Sequence, residues 1–218
     1  LLPYWKNPVD GEVYSLTSLD KGGLSGYKTR LVKGGTLSDI YVNQLSVGEH
    51  GEYFVDPQSH TLRTDDDNYV LAGSAAPRYN LSWGNELSFK GLTLGFLLAY
   101  RNGGVVVSQT QAIMDAFGTS QASADARDAG GVMINGMLYP AADYYQTVAS
   151  SSHIIGSQYV YSATNLRLSE VSLSYDVPVQ RWQHVLKGMT ISLVGHNLLM
   201  FYCKAPFDPE LTANTGTY

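Results

Sequence analysis

The sequence predicts an all-β chain of antiparallel strands, on three observations: two-residue alternation of apolar and polar side chains, tight turns between alternating runs, and little helical periodicity. From 79 to 89 the odd positions read Tyr79, Leu81, Trp83, Asn85, Leu87 and Phe89. The even positions read Asn80, Ser82, Gly84, Glu86 and Ser88. Successive side chains of a strand point to opposite faces, so this run has one apolar and one polar face.

The remaining elements follow in the same way. Lys90-Gly91 is a minimal turn, after which Leu92, Leu94, Phe96, Leu98 and Tyr100 alternate with Thr93, Gly95, Ala99 and Arg101, with Leu97 as the exception. Two such runs joined by two residues form a hairpin. Near the C-terminus Val171, Leu173, Tyr175 and Val177 alternate with Ser172, Ser174 and Asp176, and Pro178 ends the run. Leu166 and Leu168 have the opposite parity, which predicts a bulge near Ser169-Glu170. Met189, Ile191 and Leu193 open a further strand towards Leu199, after a connection over 180–187 that holds Trp182, Val185 and Leu186. A fifth strand is expected around 37–45, where Ile40-Tyr41-Val42 blurs the parity. Residues 1–35 read as loop with one strand near 27–32.

The connections are very unequal. Residues 102–164 and 46–78 are long, and loops of this length are uncommon in compact domains. The longer one is expected to carry a short helix, since Ala112, Ile113, Ala116 and Phe117 have helical spacing.

Composition narrows the function. Of 218 residues, 15% are charged, against about 25% in an ordinary soluble domain. A net charge of −5 with no Lys/Arg cluster excludes a basic nucleic-acid binder, and a single cysteine excludes a disulfide framework or a Cys-rich zinc site. The most apolar stretch, 91–100, is too short for a spanning helix, which needs about 20 residues. Two architectures suit the alternation. A soluble β-sandwich, such as a carbohydrate-binding module, would put charged residues on its polar faces. A transmembrane barrel would put apolar residues towards lipid and Ser, Thr, Gly and Asn towards a lumen, with tyrosines such as Tyr79, Tyr100 and Tyr175 near strand ends. The polar faces here favour the barrel, and the pattern leaves both open.

Specific strings go further. Asn165-Leu166-Arg167-Leu168-Ser169-Glu170-Val171-Ser172-Leu173-Ser174-Tyr175 resembles a near-terminal strand of the SusC/RagA-like TonB-dependent outer-membrane transporters. The run from Leu186-Lys187-Gly188 to Gly195-His196-Asn197-Leu198 is similar to that family, as is Lys204-Ala205-Pro206-Phe207-Asp208-Pro209-Glu210. Residues 35–41 and the stretch from Pro77-Arg78-Tyr79-Asn80 through the hairpin to Gly104 also resemble it. The family pattern often has Arg where this chain has His196. The resemblance implies part of a large transmembrane β-barrel in the outer membrane of a Gram-negative bacterium, importing a nutrient that is usually an oligosaccharide and sometimes a peptide, with no catalysis and no cofactor. It implies a SusD-like surface lipoprotein as lid, a TonB complex acting through an N-terminal part, and contact with outer-membrane lipid. Residues 1–218 are then expected to be a C-terminal portion of the barrel, without plug domain or closing strand. The same resemblance puts the 90–91 and 177–187 turns at the periplasmic rim, and 46–78, 102–164 and 200–218 outside.

Candidate site residues are few. Lys204, Asp208 and Glu210 are expected to contact cargo or lid, with Pro206 and Pro209 stiffening their loop; structural capping is an equal reading. Tyr144 and Tyr145, with Tyr139, Tyr159 and Tyr161, offer rings for stacking on sugars or for packing within their own segment. Asp65 and Asp67, in Asp65-Asp66-Asp67-Asn68, offer hard oxygens to Ca²⁺. They lack the Gly and Glu of an EF-hand loop, so a solvated external turn is the stronger reading. His50, His60, His153, His184 and His196 show no metal spacing. Ser150-Ser151-Ser152-His153 has no nucleophile elbow around it. The glycosylation sequon Asn80-Leu81-Ser82 falls inside an expected strand.

Overall fold

A computed structural model describes residues 5–6, 8–14, 18–56, 58–59, 61–150, 153–178 and 188–210. The 180–187 connection, His60, His184 and Ser151-Ser152 lie outside these residues, as does the chain after Glu210. The elements in order are β1 (Trp5–Lys6), β2 (Val13–Tyr14), β3 (Ser18–Leu24), β4 (Tyr27–Val32), β5 (Asp39–Leu45), β6 (Thr64–Ser74), β7 (Tyr79–Phe89) and β8 (Leu92–Asn102). Then come β9 (Val105–Val107), α1 (Gln109–Ala116), α2 (Gln121–Asp128), β10 (Val132–Ile134), β11 (Met137–Tyr139), α3 (Ala141–Val148), a 3₁₀ turn (Gly156–Tyr159), β12 (Val160–Ser162), β13 (Asn165–Val177) and β14 (Met189–Cys203). The pairs β1-β2, β10-β11, β3-β4, β4-β5, β5-β6, β7-β8, β8-β13 and β13-β14 are all antiparallel. The all-β class therefore holds. The chain divides into two compact units, one from Leu1–Ala76 with Val105–Tyr161, the other from Pro77–Gly104 with Ser162–Leu211.

The second unit is a four-stranded sheet in the order β14-β13-β8-β7. Lys90 (φ 49°) and Gly91 (φ 82°) both take left-handed backbone, as a two-residue hairpin turn requires. Register then lines up like residues in rows. Leu87, Leu94, Leu173 and Leu193 form one apolar row, and Phe89, Leu92, Tyr175 and Ile191 the next. Ser88, Thr93, Ser174 and Ser192 form a row on the opposite face, with hydroxyls bridging Ser88 to Thr93 at 2.9 Å and Ser174 to Ser192 at 2.9 Å. The expected bulge is present: Leu168 faces Leu98 while Glu170 faces Leu97, leaving Ser169 as the extra residue. That one residue returns Leu166 and Leu168 to the apolar face.

The apolar face of this sheet is uncovered. Trp83 is 59% exposed and Leu193 74%, and Leu81, Leu87, Phe89, Leu94, Leu173, Tyr175 and Ile191 are exposed beside them. The charged residues of these strands, Glu86, Arg101, Arg167, Glu170 and Asp176, all have the parity of the polar face. Leu97, Val194 and Met200 are apolar exceptions on that face. β14 runs four residues beyond the expected Leu199, because Tyr202 still pairs with Leu166 and Cys203 with Asn165. A register shift between Leu166 and Arg167, within the continuous apolar run Leu198–Phe201, hides the alternation there.

The first unit holds the sheet β3-β4-β5-β6. The strand expected near 27–32 is β4. Three other expectations need correction. Residues 46–78 are not one loop, because β6 occupies eleven of them. Residues 1–35 contain β1, β2 and β3 as well as β4; the β3 sequence Ser-Leu-Asp-Lys-Gly-Gly-Leu is exposed throughout and carries no alternation. The 102–164 segment holds three eight-residue helices rather than one, too short for a strong periodic signal, though Ser108 and Ser120 cap two of them. β5 begins at Asp39, and its blurred parity has a physical cause: Asp39, Ile40, Val42, Asn43 and Leu45 are buried on both faces.

The core of this unit gathers Leu45, Leu62, Ala112, Ile134, Val148, Ile155 and Tyr159. Asn43, 1% exposed, ties it together: its side-chain carbonyl accepts the Gly156 N–H at 2.7 Å and its amide donates to Asp66 Oδ1 at 3.2 Å. Glycine is required at 156, since a Cβ there would collide with the Gly26 carbonyl. Asn43→Ala leaves the Gly156 N–H unpaired and is expected to cost about 1–3 kcal/mol, read as an earlier midpoint for proteolysis of this unit in urea.

Candidate functional site

The most organised polar cluster lies in the second unit, where the segment after β14 turns back against β13. Arg167 stands on the polar face of β13 with its side chain only 5% exposed. Its guanidinium is permanently charged, so burial obliges it to find anions. Nη2 donates to Asp208 Oδ1 at 2.8 Å and Nη1 to Asp208 Oδ2 at 3.3 Å, a two-pronged grip. Nη1 also lies 3.1 Å from Glu210 Oε2, and Nε donates to Asn165 Oδ1 at 3.2 Å. Asn165 is itself buried and donates to the Ala163 carbonyl at 3.0 Å. Asp208 Oδ1 further accepts the Glu210 N–H at 3.0 Å, which fixes the turn. The Cys203 thiol donates to the Phe207 carbonyl at 3.4 Å.

Beside this cluster opens a cleft of about 380 Å³, with Arg167, Asn197 and Asp208 as its polar lining and Met200, Pro206 and Phe207 among its apolar walls. Of the residues expected to form a contact loop, the structure therefore brings Asp208 and Glu210 together on Arg167. Lys204 has its backbone N–H on the Thr164 carbonyl at 3.3 Å and is exposed. Sequence reasoning passed over Arg167 as a site residue. The available signal was a lone basic residue in a strand whose other charged residues, Glu170 and Asp176, are acidic.

Tyr144 and Tyr145 belong to the other unit, on α3. Their rings meet edge to face, 5.2 Å apart at 82°, and both pack partly buried against the core. The Tyr144 hydroxyl donates to Gln158 Oε1 at 3.1 Å. Tyr139 and Tyr159 are buried and Tyr161 is half-buried. Burial above all, with the Tyr145 and Tyr53 hydroxyls and Asp115 adding to it, pushes the Tyr144 hydroxyl up to about 12. Tyr159 is pushed up as well, by burial first and then by Asp115.

Asp65 and Asp67 lie on strand β6, not on the expected turn. Val42 faces Val70 while Gln44 faces Asp65, so the intervening residues of β6 bulge out of the ladder. Asp65 Oδ1 accepts the Asn68 N–H at 3.2 Å, and Asp67 is exposed. Among the described residues no three His, Cys, Asp or Glu side chains converge as a metal-holding group. His153 Nε2 lies 3.0 Å from Asp66 Oδ1, without hydrogen-bond alignment. His196 sits across the strands from Glu170, at 3.7 Å. Asn80 is in mid-ladder opposite Arg101.

No family model and no curated protein matches this chain. Among solved structures, a chain of the RagAB peptide importer in its open-open state superposes with a TM-score of 0.53 at 16% identity, over 98% of this chain and 22% of that one. A second structure, of the RagAB peptide transporter, gives 0.49 at 19% identity over 84% of this chain and 23% of that one. At such identity the first likeness shows the fold, and this chain spans about a fifth of the importer chain's length.

Two outcomes test this geometry. Arg167→Gln removes the charge that holds Asp208 and Glu210, so tryptic cleavage after exposed Lys204 is expected to accelerate about tenfold in limited proteolysis. Unfolded tyrosines ionise near pH 10 (about) while Tyr144 keeps its proton to about 12. Its contribution to stability is thus full below pH 10 (about) and is lost as pH rises through about 12. Tyr144→Phe is expected to make that alkaline loss shallower, followed by tyrosinate absorbance and near-ultraviolet circular dichroism.

Proposed function

We propose that this chain is a section of the wall of an outer-membrane transporter barrel of the SusC/RagA-like, TonB-dependent type, with residues 1–218 a C-terminal portion of it. The single observation that carries the reading is the sheet β14-β13-β8-β7: a broad apolar face, uncovered, bearing no charged residue, backed by a face of Ser, Thr, Gly and a few charges. A sandwich would bury that face against a second sheet. A barrel wall turns it to lipid, and strands of eleven to fifteen residues are long enough to cross, since about 9–11 suffice. Tyr79, Tyr100 and Tyr202 cluster at one end of the sheet and Tyr175 at the other, as interfacial girdles would require. The fold likeness to a peptide importer supports the same reading.

In this orientation the Lys90-Gly91 turn lies at the periplasmic rim, and the 102–164 segment and the 204–210 loop lie outside. The cargo is a nutrient, an oligosaccharide or a peptide, moved without a catalytic step or a bound cofactor. A SusD-like surface lipoprotein would cover the outer end, with Lys204 among the groups offered to cargo or lid, and a TonB complex would supply energy.

The test is a pair of arginine substitutions on opposite faces of one sheet. Phe96→Arg places a charge on the lipid side at mid-strand and is expected to cost about 2–4 kcal/mol, seen as loss of protein from the outer-membrane fraction. Ser172→Arg, on the polar face, is expected to leave that fraction nearly unchanged. A wild-type protein that is monodisperse without detergent, with Phe96→Arg equally well folded, would overturn the reading.

A further inference from the structure

The dipeptide Asn-Gly occurs twice, at Asn102-Gly103 and Asn135-Gly136. In this pair a backbone nitrogen reaches the preceding side-chain amide with little hindrance, because glycine has no Cβ to block the approach. The two copies stand in different surroundings. Asn102 closes the β7-β8 ladder opposite Tyr79 and is half-buried, with its amide donating to the Tyr79 hydroxyl at 2.8 Å. Its carbonyl accepts the Arg78 N–H at 2.8 Å, and the Gly103 N–H donates to Thr164 Oγ1 at 3.0 Å. The nitrogen that would attack is already engaged.

Asn135-Gly136 is the turn of the β10-β11 hairpin, with both residues exposed and on left-handed backbone, φ 49° and 77°. The Gly136 N–H has no hydrogen-bond partner among the described residues, and the space beside its Cα is open. The Asn135 side chain, by contrast, is held. Its Oδ1 accepts the Tyr53 N–H at 2.9 Å, and its Nδ2 donates to the Tyr53 carbonyl at 2.7 Å. That double contact needs a donor and an acceptor on one side chain, which an amide has and a carboxylate lacks.

We propose that Asn135 is a site of spontaneous deamidation, and that the reaction irreversibly releases the β10-β11 turn from Tyr53. The Asn135 amide swings off Tyr53, and the Gly136 nitrogen attacks Asn135 Cγ. The Gly136 N–Cγ bond forms and the Cγ–Nδ2 bond breaks. The proton of the attacking nitrogen passes through solvent to Nδ2, which departs as ammonia. Water then opens the cyclic imide at either carbonyl, giving aspartate or isoaspartate with no change of oxidation state. The product sets a carboxylate oxygen against the Tyr53 carbonyl where Nδ2 had donated, so the contact cannot re-form. Isoaspartate also lengthens the main chain within a two-residue turn, whose register depends on that length. The proposal concerns this hairpin alone and does not depend on the transport reading.

The experiment ages the full-length folded protein at mildly alkaline pH and follows both Asn-Gly peptides by mass spectrometry, with fragmentation that separates aspartate from isoaspartate. Asn135 is expected to convert about tenfold faster than Asn102, the factor that one hydrogen bond on the attacking nitrogen supplies. In the urea-denatured chain the two sites are expected to convert at similar rates, since both are then Asn-Gly in open chain. Hydrogen exchange at the Tyr53 N–H is expected to quicken about tenfold in Asn135→Asp, because the Oδ1–Nδ2 clamp is gone. The same exchange is read in the aged wild-type sample, where converted and unconverted molecules coexist, so a variant that fails to fold leaves the test intact. Equal rates at the two sites in the folded protein, or faster conversion of Asn102, overturns the proposal. So does an Asn135 that stays intact while the denatured chain converts, or Tyr53 exchange that conversion leaves unchanged.

Discussion

The structure of the larger sheet depends on one constraint: every side chain must stay on its own face through four strands of unequal length. A one-residue slip would turn Leu166 and Leu168 to the polar face and bring Arg167 round to the apolar one. The extra residue at Ser169 prevents this, and the rows from Trp83 to Leu199 and from Leu87 to Leu193 remain unmixed as a result. The tight left-handed turn at Lys90-Gly91 sets the register from which those rows start.

From that sorting follows the position of Arg167. A charge that cannot face the apolar side is held on the polar side, close to the end of the sheet where β14 gives way to its loop. There it is shielded from water, and two carboxylates of that loop become its counter-ions. The arrangement is local and self-contained, with Asn165 orienting the guanidinium from two residues away on the same strand. The other unit is organised by different means. A buried asparagine, close glycine contacts and a cluster of tyrosines make a small core around short helices.

The strands with one apolar and one polar face were readable because their alternation is undisturbed; β7 and β8 have the bounds that the pattern implies. β5 was blurred because both of its faces are buried, so no period of two remains to be seen. β3 and β6 were missed since exposure, and the aspartates of Asp65-Asp66-Asp67, remove the apolar half of the signal. The Tyr144 and Tyr145 rings were visible as residues, but whether they face outward or pack on a core depends on partners distant in sequence.

By itself, then, the sequence determined the all-β class, the hairpin, the bulge and the segregation of charge from one face, because each is written in neighbouring residues and a fixed geometric period. Only tertiary structure decided that Arg167 meets Asp208 and Glu210, since those carboxylates lie some forty positions away and reach it only when β14 pairs with β13. The reason is physical. Periodicity records which face a side chain takes, whereas a counter-ion is chosen by distance in space, which no local pattern encodes.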